Sequence, residues 1–118
     1  MKNPNLSVTV HGIYLVAAGI GFVLVPNLLL PLFGFGITSE VWIRIVGLLT
    51  LILGMYFIYC ARHDQRYFIR ATIAARLIFF TGVTAFVLLR LANPILIVFG
   101  LIDLAGAAWT TWALRAAP

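Results

Sequence analysis

The sequence predicts an all-α fold, an integral membrane bundle of four transmembrane helices, and three observations carry that prediction. The chain of 118 residues is 64% hydrophobic and only 9% charged, with a mean hydropathy of +1.12, whereas a soluble domain carries about a quarter charged residues. Its apolar stretches are continuous and about 20 residues long, the length a helix needs to cross a hydrocarbon core. They do not alternate apolar with polar over runs of about 10 residues, as the strands of a membrane barrel would. Unpaired backbone groups are not tolerated in hydrocarbon, so helices remain. The whole chain, 1–118, is expected to form one domain whose partner is the lipid bilayer.

The first span is expected over 7–25, opened by the cap-like "NPNLS" and closed by Pro26. Its leader carries only Lys2, and no small-residue cleavage site follows the apolar run. It is therefore expected to be a retained helix rather than a signal peptide. The next stretch, "PNLLLPLFGFGITSE" (26–40), is apolar but broken by two prolines and two glycines. That pattern predicts a short interfacial or re-entrant piece, not a span. The second span is expected over 41–59 and is followed by the strongly polar connection "CARHDQRYFIR" (60–70). The third covers 71–91 and the fourth 94–114, joined by the tight hairpin "RLANP" (90–94). Pro94 suits a first helical position, where its missing N–H costs nothing.

Charge placement predicts orientation. The second-to-third connection holds Arg62, Arg66 and Arg70, and with four spans it shares a side with Lys2 and Arg115. The other side has only Arg90 near its surface, with Arg44 inside the second span. By the positive-inside rule both termini are expected to be cytoplasmic, in a multi-pass protein of the cell (inner) membrane. The same rule accounts for the net charge of +5. No basic, aromatic-bearing soluble module is present, so nucleic acid is not an expected partner. Trp42 at the outer boundary, with Tyr59, Tyr67, Trp109 and Trp112 toward the inner one, fits an aromatic belt.

Three charged residues fall within the spans: Arg44, Arg76 and Asp103. Such residues usually face the bundle interior and mark function. Asp103 lies roughly 13 Å below the outer boundary, too deep for its short side chain to reach water. It shares a stripe with Gly100, Ala107 and Thr110, a small and polar surface suited to helix packing. Arg44 lies roughly 5 to 6 Å below the outer boundary. Its stripe carries Gly47, Leu51 and Gly54, and Glu40 stands one turn earlier. Arg76 lies about 9 Å from the inner boundary on a stripe without glycine, from which it could snorkel to the surface. Side chains lean toward their own helix N-terminus, which favours Arg44 over Arg76 as the partner of Asp103. Two readings of the trio stay open: a buried ion pair that fixes helix order, and a polar pocket that binds a ligand or relays a proton.

Other chemistry is thinly represented. His11 reads as an interfacial hydrogen-bonder, and with His63 it lacks the spacing of metal or haem ligands. Cys60 is the only cysteine and reads as a reduced, inert thiol, with lipidation weakly indicated. No phosphate-binding, dinucleotide, zinc-protease or serine-hydrolase motif occurs. The two serines, Ser7 and Ser39, lack an adjacent base. No catalytic residue or metal site is expected from these residues, and they leave any cofactor unspecified.

Gly19, Pro26, "LFGFG" (32–36), "RIVGLLTLILGMYFIYCAR" (44–62), Arg76 and "LIDLAGAAWTTWAL" (101–114) occur in that order. This arrangement resembles the small four-helix membrane proteins of the DoxX-like group. The resemblance implies a bundle with polar groups between its helices. It also implies an accessory role, since some members are subunits of quinone-linked oxidoreductases. A quinone or other lipophilic ligand near Arg44, Arg76 and Asp103, and a larger membrane complex, follow as expectations. The chain lacks a cysteine pair to do redox work alone. Small multidrug-resistance exporters match it in size, but they carry an essential glutamate in the first helix, and the first span here has no acid. The alternative expectation is a small proton-coupled transporter that uses Asp103 and works as a homo-oligomer.

Overall fold

The structure is a computed structural model that describes residues 3–116. Lys2, counted above for orientation, lies outside the described residues. Among the described residues there are four helices long and apolar enough to cross a membrane, and no strand. The all-α bundle expected from the sequence is present.

Helix α1 (Pro4–Leu24) starts where Asn3 Oδ1 accepts the Asn5 N–H at 2.9 Å, with Pro4 in the first turn. It ends because Pro26 forces Val25 out of helical conformation (φ −135°, ψ 55°). The broken stretch that follows forms the short helix α2 (Pro26–Leu29) and a single 3-10 turn over Leu30–Phe33. Gly34, at φ +80°, ends the turn in the left-handed region that glycine enters freely. Asn27 then clamps the extended return segment, donating to the Thr38 carbonyl at 3.0 Å and accepting the Thr38 N–H at 2.9 Å. The Phe33 ring packs at a tilt against Phe99, centroids 4.3 Å apart, which docks this piece on the end of the bundle.

Helix α3 (Trp42–Arg62) and helix α4 (Arg66–Leu88) are joined by a tight turn with Asp64 at φ 54°. Asp64 accepts from Asn5 Nδ2 and Arg66 Nε, both at 3.0 Å, tying the start of α1 to this turn. Helix α4 begins earlier than hydropathy suggests. Its backbone bonding continues through the polar Arg66–Arg70 segment, which extends past the apolar core. Asn93 then caps a 3-10 turn over Pro94–Leu96 that leads into helix α5 (Ile97–Ala116).

Packing makes two helix pairs. Helix α1 lies closely on α3, and α4 lies on α5. The α1–α3 contact depends on glycines: a Cβ on Gly19 would stand 2.5 Å from Leu51 N and 2.6 Å from the Gly47 carbonyl oxygen. Only backbones without side chains come so near. Helix α5 joins the pairs through α1, while α3 and α4 meet little despite their short connection. At the arginine-rich end all four helices converge on one core of Val8, Phe57, Ala61 and Ile69, with Leu15, Phe68 and Leu114 against it. The molecule is flattened, 48 × 29 × 19 Å, and its outward face of exposed Leu, Ile and Phe suits lipid.

Candidate functional site

The site begins with three pairs of polar residues, each pair spaced to share a helix face. Helix α1 supplies Ser7 and His11, α4 supplies Thr72 and Arg76, and α5 supplies Asp103 and Thr110; all six are buried. A spacing of four residues places each α1 and α4 pair one turn apart on the same side. The small α5 stripe of Gly100, Asp103, Ala107 and Thr110 is buried throughout, so it does face the bundle interior.

The hydroxyls form an ordered chain. Ser7 Oγ donates to the Pro4 carbonyl at 2.8 Å, so at the 2.7 Å contact with Thr110 its oxygen accepts the Thr110 proton. Thr110 Oγ1 in turn accepts from Arg76 Nη2 at 2.9 Å. Thr72 acts likewise: its hydroxyl donates to the Ile69 carbonyl at 2.6 Å and accepts from Arg76 Nη2 at 2.9 Å. Arg76 Nε donates to the Thr72 carbonyl at 3.1 Å. Each hydroxyl uses its single proton once, and the guanidinium is held by neutral oxygens from two helices.

His11 and Asp103 meet beside this chain, His11 Nε2 lying 3.3 Å from Asp103 Oδ1. The contact is not a well-aligned hydrogen bond: His11 Nε2 has no bonded partner, and neither has Arg76 Nη1. Gly106 makes room for both groups. A Cβ there would stand 3.0 Å from Arg76 Nη1 and 3.1 Å from His11 Nδ1.

A cavity of about 380 Å³ opens from these residues between the four helices. His11, Arg76 and Asp103 border it on one side, and Tyr14, Phe22, Phe57, Phe79 and Phe99 give it aromatic walls. It has the size and apolar lining typical of small-molecule sites, with a few polar groups to one side. Sparse contact between α3 and α4 leaves this space bounded weakly on the lipid side.

The structure brings Arg76 and Asp103 to one cavity and leaves Arg44 elsewhere. Arg44 is exposed, and its Nη1 donates to the Val23 carbonyl in the last turn of α1. Among the described residues it makes no ion pair with Asp103 or with Glu40. The reason lies in helix order: α3 packs on α1, whereas the neighbours of α5 are α1 and α4. Arg76 does not snorkel; it is 2% exposed and turned inward by Thr72 and Thr110. The partner that Asp103 does meet, His11, reads in the sequence only as an interfacial group. Its one available signal is the spacing Ser7–His11, which puts two polar residues on a single face of an apolar helix.

Among the described residues no group of three His, Cys, Asp or Glu side chains could hold a metal ion. His63 is far from this chemistry in the bonding pattern: its Nδ1 lies 2.9 Å from the Tyr59 carbonyl oxygen, and its ring stacks on Tyr59. The chain matches no family model, no curated protein and no solved structure. Its own structure therefore assigns it to a class: a small multi-pass helical membrane protein.

Proposed function

We propose that this protein is a small membrane subunit of DoxX-like type, without catalytic residues of its own, that holds a lipophilic ligand between its four helices. A quinone is the candidate that the resemblance supplies. The observation that carries the reading is the aromatic-walled cavity of about 380 Å³ bordered by buried His11, Arg76 and Asp103. A flat ring fits aromatic walls by offset stacking. A polar head on that ring meets a lining with few polar side chains, among them His11, Tyr14, Thr50 and Asp103. The loose α3–α4 boundary supports entry from the bilayer, where such a molecule is dissolved. An accessory role fits a larger membrane complex or a homo-oligomer that would supply the chemistry this chain lacks.

The test is direct binding of a short-chain benzoquinone to the purified protein in lipid nanodiscs, read by thermal stability. A ligand at about 100 times its Kd stabilises the folded state by about 2.7 kcal/mol. Saturable stabilisation is expected in the wild type, and its loss is expected in Ala18→Phe, which fills the cavity. No saturable effect, or one that Ala18→Phe leaves unchanged, overturns the reading.

The close approach of His11 to Asp103 inside the membrane favours a second reading, a small transporter in which Asp103 exchanges a proton. Proton flux into liposomes that disappears in Asp103→Asn would support it. Equal flux in wild type and variant would remove it.

A further inference from the structure

From a hollow between α4 and α5 and the arginines at its end, we infer that this protein seats an anionic phospholipid, with one acyl chain in the hollow and the phosphate on Arg70 and Arg115. The inference concerns the lipid-facing flank of the bundle and is independent of the ligand proposed for the central cavity.

Residue spacing builds the hollow. On α5, Leu104, Ala108, Thr111 and Arg115 recur at four, three and four residues and share one face. On α4, Arg70, Ile73 and Leu77 recur at three and four and do the same. The two helices meet closely, a Cβ on Gly100 standing 3.5 Å from Phe80 Cα. They run in opposite directions, so ten residues from that contact bring Arg70 level with Thr110. Arg115 then lies roughly 7 to 8 Å further along, a gap that two long side chains can span to meet one headgroup. Where α5 presents Ala107 and Ala108 between Leu104 and Trp112, the surface sinks into a space of about 370 Å³. Ile73 and Leu77 line it from α4, and Arg115 is its last residue on α5.

The hollow calls for hydrocarbon. Its lining is mostly apolar, and Thr111 spends its hydroxyl proton on the Ala107 carbonyl at 2.8 Å. Leu77 and Trp112, which line it, are exposed on the outside of the bundle, where a spanning helix meets lipid.

The end of the hollow calls for an anion. The arginine-rich end of the bundle carries Arg62, Arg66, Arg70 and Arg115, and the whole chain has three acids. Asp64 is taken by Arg66 at 3.0 Å, Asp103 is buried beside His11, and Glu40 precedes α3 at the opposite end. Among the described residues no acid pairs with Arg70 or Arg115, and both residues are exposed. A guanidinium keeps its charge and matches the oxygens of a phosphate. Basic groups between helices at a membrane boundary attract anionic headgroups. Trp112 stands at the same level, where an indole favours the border of hydrocarbon and headgroup. Hydrocarbon joined to a phosphate is the chemistry of a phospholipid.

The experiment reconstitutes the full chain with Trp112 as its single tryptophan (Trp42→Phe, Trp109→Phe) in phosphatidylcholine vesicles. Phosphatidylglycerol or phosphatidylcholine with brominated acyl chains is titrated in, and quenching of Trp112 reports which lipid sits beside it. Phosphatidylglycerol is expected to be preferred about tenfold or more. Arg70→Gln and Arg115→Gln are each expected to lower that preference about fivefold. Ala108→Phe, which fills the hollow, is expected to lower it as well, with Ala108→Leu in its place if the first variant does not fold. Arg62→Gln, which lies on the α3 flank, is expected to leave it unchanged. Equal quenching by the two lipids overturns the inference. So does an Arg62→Gln effect as large as that of Arg115→Gln, which would mean attraction to the charged surface in general. A preference that survives filling the hollow, or a Trp112 shielded from both lipids by a second copy of the chain, overturns it too.

Discussion

Asp103 Oδ1 lies 3.3 Å from His11 Nε2, so the deepest acid of the chain is met by a histidine on α1 rather than by either intramembrane arginine. Arg76 borders the same neighbourhood, yet its bonds go to Thr72 and Thr110. Among the described residues Arg76 and Asp103 make no ion pair with each other.

Removing the acid should unbalance the site. Asp103→Asn takes from His11 the buried acid it faces at 3.3 Å, and a loss within the range of about 0.5–3 kcal/mol usual for a buried substitution is expected. Arg44→Gln should have little effect, because Arg44 is exposed and bonded to the Val23 carbonyl. The double variant should equal the sum of the singles, since the residues do not share a partner. Thermal stability in detergent checks all three, and marked non-additivity would mean that Arg44 and Asp103 do interact.

Gly106 is expected to be intolerant of a methyl group. A Cβ would meet Arg76 Nη1 at 3.0 Å and His11 Nδ1 at 3.1 Å, displacing both from the site. Overpacking of this kind costs about 1–3 kcal/mol. Gly82, with nothing within 4 Å of its Cβ position, is the control, and Gly82→Ala should be neutral or slightly stabilising. Ligand binding should fall in Gly106→Ala and persist in Gly82→Ala.

The hydroxyl chain makes a graded prediction. Thr110→Val removes the acceptor of Arg76 Nη2 and the partner of Ser7 together, a loss of about 1–3 kcal/mol. Ser7→Ala removes only the far end of the chain and should cost less. After Thr110→Val the further change Ser7→Ala should cost less than it does in the wild type, because the shared bond is already gone and only the Ser7 bond to the Pro4 carbonyl remains to be lost. A double-mutant cycle on unfolding in denaturing detergent measures this.

The α1–α3 contact should be the most fragile packing in the molecule. In Gly19→Ala the new Cβ meets backbone, Leu51 N at 2.5 Å and Gly47 O at 2.6 Å, so no flexible side chain can give way. A loss at the upper end of the 1–3 kcal/mol or so typical of overpacking is expected. Reduced yield of folded protein and a lowered unfolding midpoint are the readouts. An unchanged midpoint would contradict the close fit of these two helices.

Residue spacing alone was enough to specify the four helices, because length and continuous hydropathy decide whether a segment can satisfy its backbone in lipid. Punctuation was legible too: Pro26 ends α1, and Pro94 opens the turn into α5. So was the inward face of α5, since Gly100, Asp103, Ala107 and Thr110 recur at a helical period. All of these are local properties, carried by neighbours along one helix. Which helix lies beside which is not local. The close fit of Gly12 and Gly19 against Gly47 and Gly54 commits α1 to α3, and that pairing takes Arg44 away from α5. Only the tertiary structure could therefore choose His11 for Asp103, turn Arg76 inward, and open a cavity where α3 and α4 fail to close. Depth and side-chain lean locate a charge along the membrane normal, but packing around the bundle axis decides what it meets.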